Sequence, residues 1–268
     1  MTFEPDVPLT WGAQLAHAER VLIAAGTPAP RDEAFELLGF LLGAPAALLL
    51  AQPASPISRA EAETFGGWVS RRAAGEAIPH ITGRLEFMGL ELSVERDSPL
   101  PAPGARRLVE LALEWTRRRP PGELLVAEIG AGCGAISLAL ASFEPRLTRV
   151  YAVEPSATAL ETAAENGARY LLNLMLIWLA GDGPASVPEP VDVLVCGQFE
   201  PSTVSATRLL EQAPAKLRQG GALLCGLAGG REVVAAEALT RAFPHASVWV
   251  DSLAGELPVA IAQLPDNR

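Results

Sequence analysis

At 268 residues, 49% of them hydrophobic, the chain can bury a core of its own as one large domain or two small ones. A net charge of −10 argues against a general nucleic-acid binder, which would show a basic face. Cys133, Cys196 and Cys225 lack metal-ligand spacing and predict reduced thiols in a cytoplasmic protein; the scattered His17, His80 and His245 disfavour a metal centre or a Ser-His-Asp triad.

The opening residues, Met1 to Asp6, carry acids and no apolar segment, so no secretory leader is expected. Trp11, Leu15, Ala18 and Leu22 form one helical stripe over residues 11–25, closed by Gly26. Asp32 to Leu42 predicts a second helix, and Ser58-x-x-Glu61 is a capping box that opens a third, running to Gly75. Arg71-Arg72 and Arg117-Arg118-Arg119 read as solvated helix ends complementing the helix dipole. The apolar runs Leu37–Ala51 and Leu171–Ala180 are interrupted or too short for the ~20 residues of a spanning helix, and belong to the core.

The period then changes. Leu85, Phe87, Leu90, Leu92 and Val94 alternate with polar residues around Met88-Gly89, the pattern of a β-hairpin within residues 81–94. Pro99, Pro101 and Pro103 make a stiff connector into a helix over Arg106–Arg118. From there strands and helices alternate: 124–129, 135–143, 149–154, 156–168, 175–179, 191–196, 203–218, 221–226 and 231–243, with 246–251 and 257–263 as an antiparallel edge pair. Such alternation predicts a doubly wound α/β sheet.

The informative stretch is Leu124 to Ile136, an apolar strand that runs into Glu128-Ile129-Gly130-Ala131-Gly132-Cys133-Gly134 and then a helix. Strand, glycine loop and helix form the first turn of a nucleotide-binding βαβ unit, and Glu154 ends the next strand where a ribose-binding acid belongs. Glu128 decides between nucleotides. A carboxylate beside the helix N-terminus repels a pyrophosphate but suits the ammonium and sulfonium of S-adenosylmethionine. A nicotinamide-dependent dehydrogenase is disfavoured on the same ground.

The order of motifs along the whole chain resembles the HemK/PrmC family, the N5-glutamine methyltransferases of peptide chain release factors. It is carried by Gly75-Glu76-Ala77-Ile78-Pro79-His80-Ile81-Thr82-Gly83, Glu86-Phe87-Met88-Gly89-Leu90, the loop from Glu128 to Ile136, Ala152-Val153-Glu154-Pro155-Ser156 with Ala164-Glu165-Asn166, and Asp251-Ser252-Leu253-Ala254-Gly255. The resemblance implies a class I S-adenosylmethionine-dependent methyltransferase, with a Rossmann-like seven-stranded sheet, a small N-terminal helical domain and a β-hairpin linker. The domains are expected at 1–76 (helical bundle), 77–103 (hairpin and Pro-rich linker) and 104–268 (methyltransferase). It implies S-adenosylmethionine as cofactor, a protein partner such as a release factor, and no membrane or direct nucleic-acid contact. By position Glu128 would hold the methionine end, Glu154 the ribose hydroxyls and Asp182 the adenine edge, with Gly130, Gly132 and Gly134 lining the cofactor.

The acceptor end departs from the family. Its Asn-Pro-Pro-Tyr corresponds here to Gly197-Gln198-Phe199-Glu200, and its Pro-Arg-Pro-x-Thr-Glu to Pro101-Ala102-Pro103-Gly104-Ala105-Arg106. The expected catalytic pair is therefore Gln198, supplying an amide, and Glu200, accepting hydrogens, with Gly197 and Phe199 as acceptor-site wall. A DNA adenine methyltransferase loses its main support with the same motif. The alternative is a non-catalytic homologue that binds S-adenosylmethionine and acts through protein contacts.

Overall fold

The structure, a computed structural model, describes residues 7–253 and 256–266. They form two compact units, one ending at Arg84 and the other beginning at Leu85.

The first unit is helical. Its helices are α1 (Trp11–Ala25), α2 (Pro30–Leu42), α3 (Ala46–Ala51), α4 (Arg59–Ala73) and α5 (Ile78–Thr82). The capping box opens α4 as expected: Glu61 N–H donates to Ser58 Oγ, and Ser58 N–H to Glu61 Oε2. Leu22, Leu37, Leu38 and Phe65 meet at the centre, each at most 1% exposed. The basic pair at the end of α4 is not a free cationic face. Arg72 makes a two-pronged contact with the Glu33 carboxylate at 3.0 Å, and Arg71 pairs with Glu76. Ile81 on α5 is buried in the same core, which carries this unit past the boundary expected at residue 76.

The hairpin β1 (Arg84–Phe87) and β2 (Leu90–Ser93) turns at Met88-Gly89, both with positive φ (52° and 81°), as the sequence pattern requires. It is more than a linker, since Leu90, Leu92 and Val94 are buried in the core of the larger unit. That unit continues with α6 (Ala105–Arg118), β3 (Leu124–Ile129), α7 (Ala135–Phe143), β4 (Leu147–Glu154), α8 (Ala157–Arg169), β5 (Leu176–Ala180), β6 (Val191–Cys196), α9 (Val204–Gln212), β7 (Leu217–Gly226), α10 (Glu232–Ala242), β8 (Ser247–Asp251) and β9 (Val259–Gln263). The seven strands from β3 onward make one sheet in the order β5-β4-β3-β6-β7-β9-β8. Pairings are parallel from β5 to β7, and β9 runs antiparallel to both its neighbours. Every residue of β3 and β6 is buried, as expected for central parallel strands covered on both faces. Val126 belongs to the core under α6 and α7, whereas Leu125 and Ala127 belong to the core under α9 and α10, the period of two that a strand imposes. The class I methyltransferase fold is thus the observed one.

One expected helix is shorter than its pattern. The run 203–218 is helical only to Gln212 and then makes a single 3-10 turn over Ala213–Lys216, with Pro214 in it. Proline lacks the N–H an α-helix needs, and the strand begins at Leu217, ahead of Gly220-Gly221. Those glycines lie inside β7, where its register against β6 shifts between Val191 and Val193.

Candidate functional site

The chain leaves β3 in one direction, to β4 and β5, and returns on its other side as β6. At such a reversal the loops beyond the strand ends diverge and leave a crevice. Here the crevice is a cleft of about 280 Å³, walled by residues following β3, β4, β5 and β6, by the segment 99–102 and by the first turns of α9. Glu128, Gly130, Gly132, Glu154, Asp182, Gly197, Gln198 and Phe199 all line it. Of the expected site residues, Gly134 and Glu200 do not.

Each acid is held differently. Glu128, next to last in β3, is 1% exposed; the Ser137 backbone N–H (2.8 Å) and hydroxyl (2.5 Å) both donate to its Oε2. Ser137 lies in the first turn of α7, so the carboxyl group also satisfies a free donor of that helix. Burial outweighs these hydrogen bonds, and with the nearby charge of Glu154 pushes the Glu128 pKa up to about 8. Glu154, at the end of β4, receives the Gly132 N–H on Oε2 (2.9 Å) and the Ser156 N–H on Oε1 (3.0 Å). Its orientation is fixed, yet each oxygen keeps a lone pair for a further donor. Asp182 follows β5, is mostly exposed, and accepts from the Arg208 guanidinium. No Lys, Arg or His is among the residues lining the cleft.

The glycines divide by role. Gly130 has φ +81°, and a Cβ built there would meet nothing within 4 Å: the backbone is bare toward open space. Gly134 has φ +84°, but a Cβ there would stand 2.8 Å from Trp178 Cη2 and 3.2 Å from Ala163 Cβ. The third glycine is needed for packing of the loop, which puts it behind the cleft wall. Cys133 is equally structural, since burial pushes its thiol up to about 11, away from reactivity.

On the β6 side of the cleft Gly197 presses on Ile136, where a Cβ would come within 2.9 Å of Ile136 Cδ1. Phe199 is 3% exposed, and its N–H donates to Gly226 O at 2.8 Å. Gln198 is exposed at the cleft edge. Glu200 turns elsewhere: Arg231 Nε lies 3.0 Å from Oε2, and the Ser202 hydroxyl donates to Oε1 at 3.0 Å. The paired hydrogen-accepting role expected for Glu200 has no support in this placement. Pro99 to Ala102, read from sequence as a connector, instead forms a wall, as do Thr203, Ser205, Ala206 and Leu209. Thr203 carried a legible signal, a hydroxyl ahead of an apolar helical pattern, and it does cap α9 by accepting the Ala206 N–H. Nothing in the spacing of the prolines placed them over the cleft.

Residues 13–83 match the family described as PrmC N-terminal domain, and residues 113–251 the methyltransferase small domain. The release factor glutamine methyltransferase of Moorella thermoacetica is 37% identical over 65% of this chain and 60% of its own length. That of Bordetella pertussis is 32% identical over 83% of this chain and 81% of its own. The chain belongs to the HemK/PrmC family. Within it, this PrmC homologue spans less than two thirds of the first relatives it matches, 60% in the Moorella protein and 63% in that of Aliivibrio fischeri. The T. thermophilus 16S rRNA N2 G1207 methyltransferase, solved with AdoMet and guanosine, shares the fold at a TM-score of 0.52 and 20% identity, over 68% of this chain and 49% of that one.

Proposed function

We propose that the cleft binds S-adenosylmethionine and that the protein transfers its methyl group to a nitrogen of a protein side chain, with the release-factor glutamine amide as the first acceptor to test. The observation that carries this reading is the convergence of Glu128, Glu154 and Asp182 with the bare backbone at Gly130 on one cleft whose lining holds no cation. A phosphate-bearing cofactor would meet the Glu154 carboxylate there and no cation in the lining; a cationic one is attracted, and favours the ionised form of Glu128. The donor set fits: Glu154 is oriented to accept two ribose hydroxyls, Asp182 an exocyclic amine, and Glu128 an ammonium group. When bound, S-adenosylmethionine supplies a methyl carbon activated by a sulfonium.

The chain's own contribution is to hold the acceptor in line and keep water out. Gln198, with an amide at the cleft edge, is the group placed to orient an acceptor nitrogen, and the stretch 99–102 covers the cleft. Glu200 is left out of this scheme. The loop around it favours one other reading, a homologue that binds the cofactor without turnover, because its only carboxylate is committed to Arg231 and Ser202.

Calorimetric titration with S-adenosylmethionine, followed by a radiolabelled methyl-transfer assay on a release factor, separates the possibilities. Saturable binding that Glu154→Ala weakens at least tenfold, with transfer that Gln198→Ala reduces, supports the enzyme reading. Binding without transfer supports the non-catalytic one. A folded protein that does not bind at millimolar ligand overturns both.

A further inference from the structure

We propose that Arg208 is a positioning residue: by holding Asp182 it sets the preference of the cleft for a purine carrying an exocyclic amino group. The inference rests on the S-adenosylmethionine reading and adds a residue that no motif in the sequence singles out.

Arg208 projects from α9, the helix whose Ser205, Ala206 and Leu209 wall the cleft, and its Nη1 donates to Asp182 Oδ2. Its stem runs over the loop that follows Asp182. A Cβ at Gly183 would lie 2.9 Å from Arg208 Cδ and 3.1 Å from Cγ, so the absence of a side chain there lets the arginine approach. One turn further along α9, Gln212 Oε1 accepts the Ala185 N–H at 2.9 Å. The loop carrying Asp182 is therefore tied to α9 at two points. An aspartate after a strand, more than half exposed, would otherwise sample several rotamers. With Oδ2 engaged by Arg208, Oδ1 is the oxygen left to accept, in one orientation and next to a neutralising charge. An exocyclic N–H donor satisfies that oxygen. A carbonyl at the same place sets acceptor against acceptor and is rejected, as polar sites reject analogues that cannot complete their hydrogen bonds.

The test compares binding of S-adenosylhomocysteine with that of S-inosylhomocysteine, in which a carbonyl replaces the exocyclic amino group. Both are titrated calorimetrically into the 268-residue protein and into the Arg208→Ala, Arg208→Lys and Asp182→Ala variants and the double variant. The expected result is a wild-type preference for the adenine compound that falls roughly tenfold in Arg208→Ala, the scale of one charge-assisted hydrogen bond. Arg208→Lys should retain part of it, and Arg208→Ala should add nothing once Asp182 is Ala. A merely structural arginine would lower both affinities together and leave their ratio intact, which overturns the proposal. If Arg208→Ala does not fold, Arg208→Met, which keeps an apolar stem and removes the guanidinium, takes its place, and an unchanged ratio there overturns the proposal as well. Wild-type protein that binds neither compound overturns the cofactor reading, whereas an unchanged ratio with intact binding overturns this inference alone.

Discussion

In the folded protein Glu128 keeps its proton up to about pH 8, against an ordinary value of 4.5, because burial between β3 and α7 penalises the charge more than Ser137 stabilises it. The sign for stability follows by linkage. Below pH 4.5 the group is protonated in folded and unfolded chains alike; between 4.5 and 8 only the folded state holds the proton, so this residue's contribution declines as pH rises and levels off above 8. A cationic ligand reverses the preference by favouring the carboxylate. Binding of S-adenosylmethionine at pH 7 is thus expected to release up to about one proton, with affinity rising toward pH 8. Calorimetry in two buffers of different ionisation enthalpy reads the proton count directly; Glu128→Gln should abolish it, and a count of zero in the wild type would remove Glu128 from the ligand's surroundings. The glycines allow a second prediction from opposite costs. Gly134→Ala meets Trp178 and Ala163 at a positive φ and should destabilise by roughly 2–4 kcal/mol, read as a loss in urea denaturation. Gly130→Ala meets only backbone strain, about 1–2 kcal/mol, yet places a methyl group on the bare ligand-facing backbone and should weaken binding at least tenfold. Both glycines and Glu128 were legible in the sequence through the acid-x-Gly-x-Gly-x-Gly spacing, and Glu154 through its place at a strand end; Asp182 came only with the family resemblance. What spacing could not separate is the glycine that faces the open cleft from the one that faces an indole. Nor does a buried acid alone mark a site: Asp192, also in a central strand, accepts the Leu125 N–H and pairs with Arg218, away from the cleft lining.

At the scale of elements, the hairpin, the glycine loop and α8 are joined by one side chain. Asn166, fully buried on α8, receives the Ser93 N–H on Oδ1 (2.8 Å), and its Nδ2 donates to Ser93 O and Cys133 O at 3.0 Å each. Tyr170 adds a hydroxyl that accepts from the Glu91 N–H, and Arg169 donates to Glu91 O. The hairpin is thereby fixed against the loop that shapes the cleft. Asn166→Ala strands three backbone groups, and a stability loss of roughly 2–3 kcal/mol is expected in chemical denaturation, with weaker S-adenosylmethionine binding because the loop from Gly130 to Gly134 loses its tether. Full binding at unchanged stability would show that the tether is dispensable. The hairpin itself was readable from period-two alternation around Met88-Gly89. Its anchor was not: Ala164-Glu165-Asn166 carries the family resemblance, but nothing in that motif ties Asn166 to the hairpin until the tertiary contact is known. The overlong expectation for α9 failed for a local reason, a proline and a glycine bulge that together moved the strand start to Leu217.

For the whole molecule, binding should register as stability. At ligand a hundredfold above its dissociation constant the gain is about 2.7 kcal/mol, which for a unit of this size raises Tm by roughly 5–10 °C. A thermal melt with and without S-adenosylmethionine checks this, and Glu154→Ala should lose most of the shift. No helix among the described residues is long and apolar enough to cross a membrane, and the three cysteines are free and buried. The sequence by itself determined the strand-and-helix alternation, the doubly wound sheet and the acids Glu128 and Glu154, because hydrophobic period and glycine spacing are local properties that each segment carries alone; the seven-stranded sheet and Asp182 came with the family resemblance. Only the tertiary structure decided that Gly134 packs behind the cleft wall, that Glu200 is drawn to Arg231, and that Arg208 holds Asp182. Those outcomes depend on which side chains from distant segments arrive at the same place, and the sheet order alone brings them together.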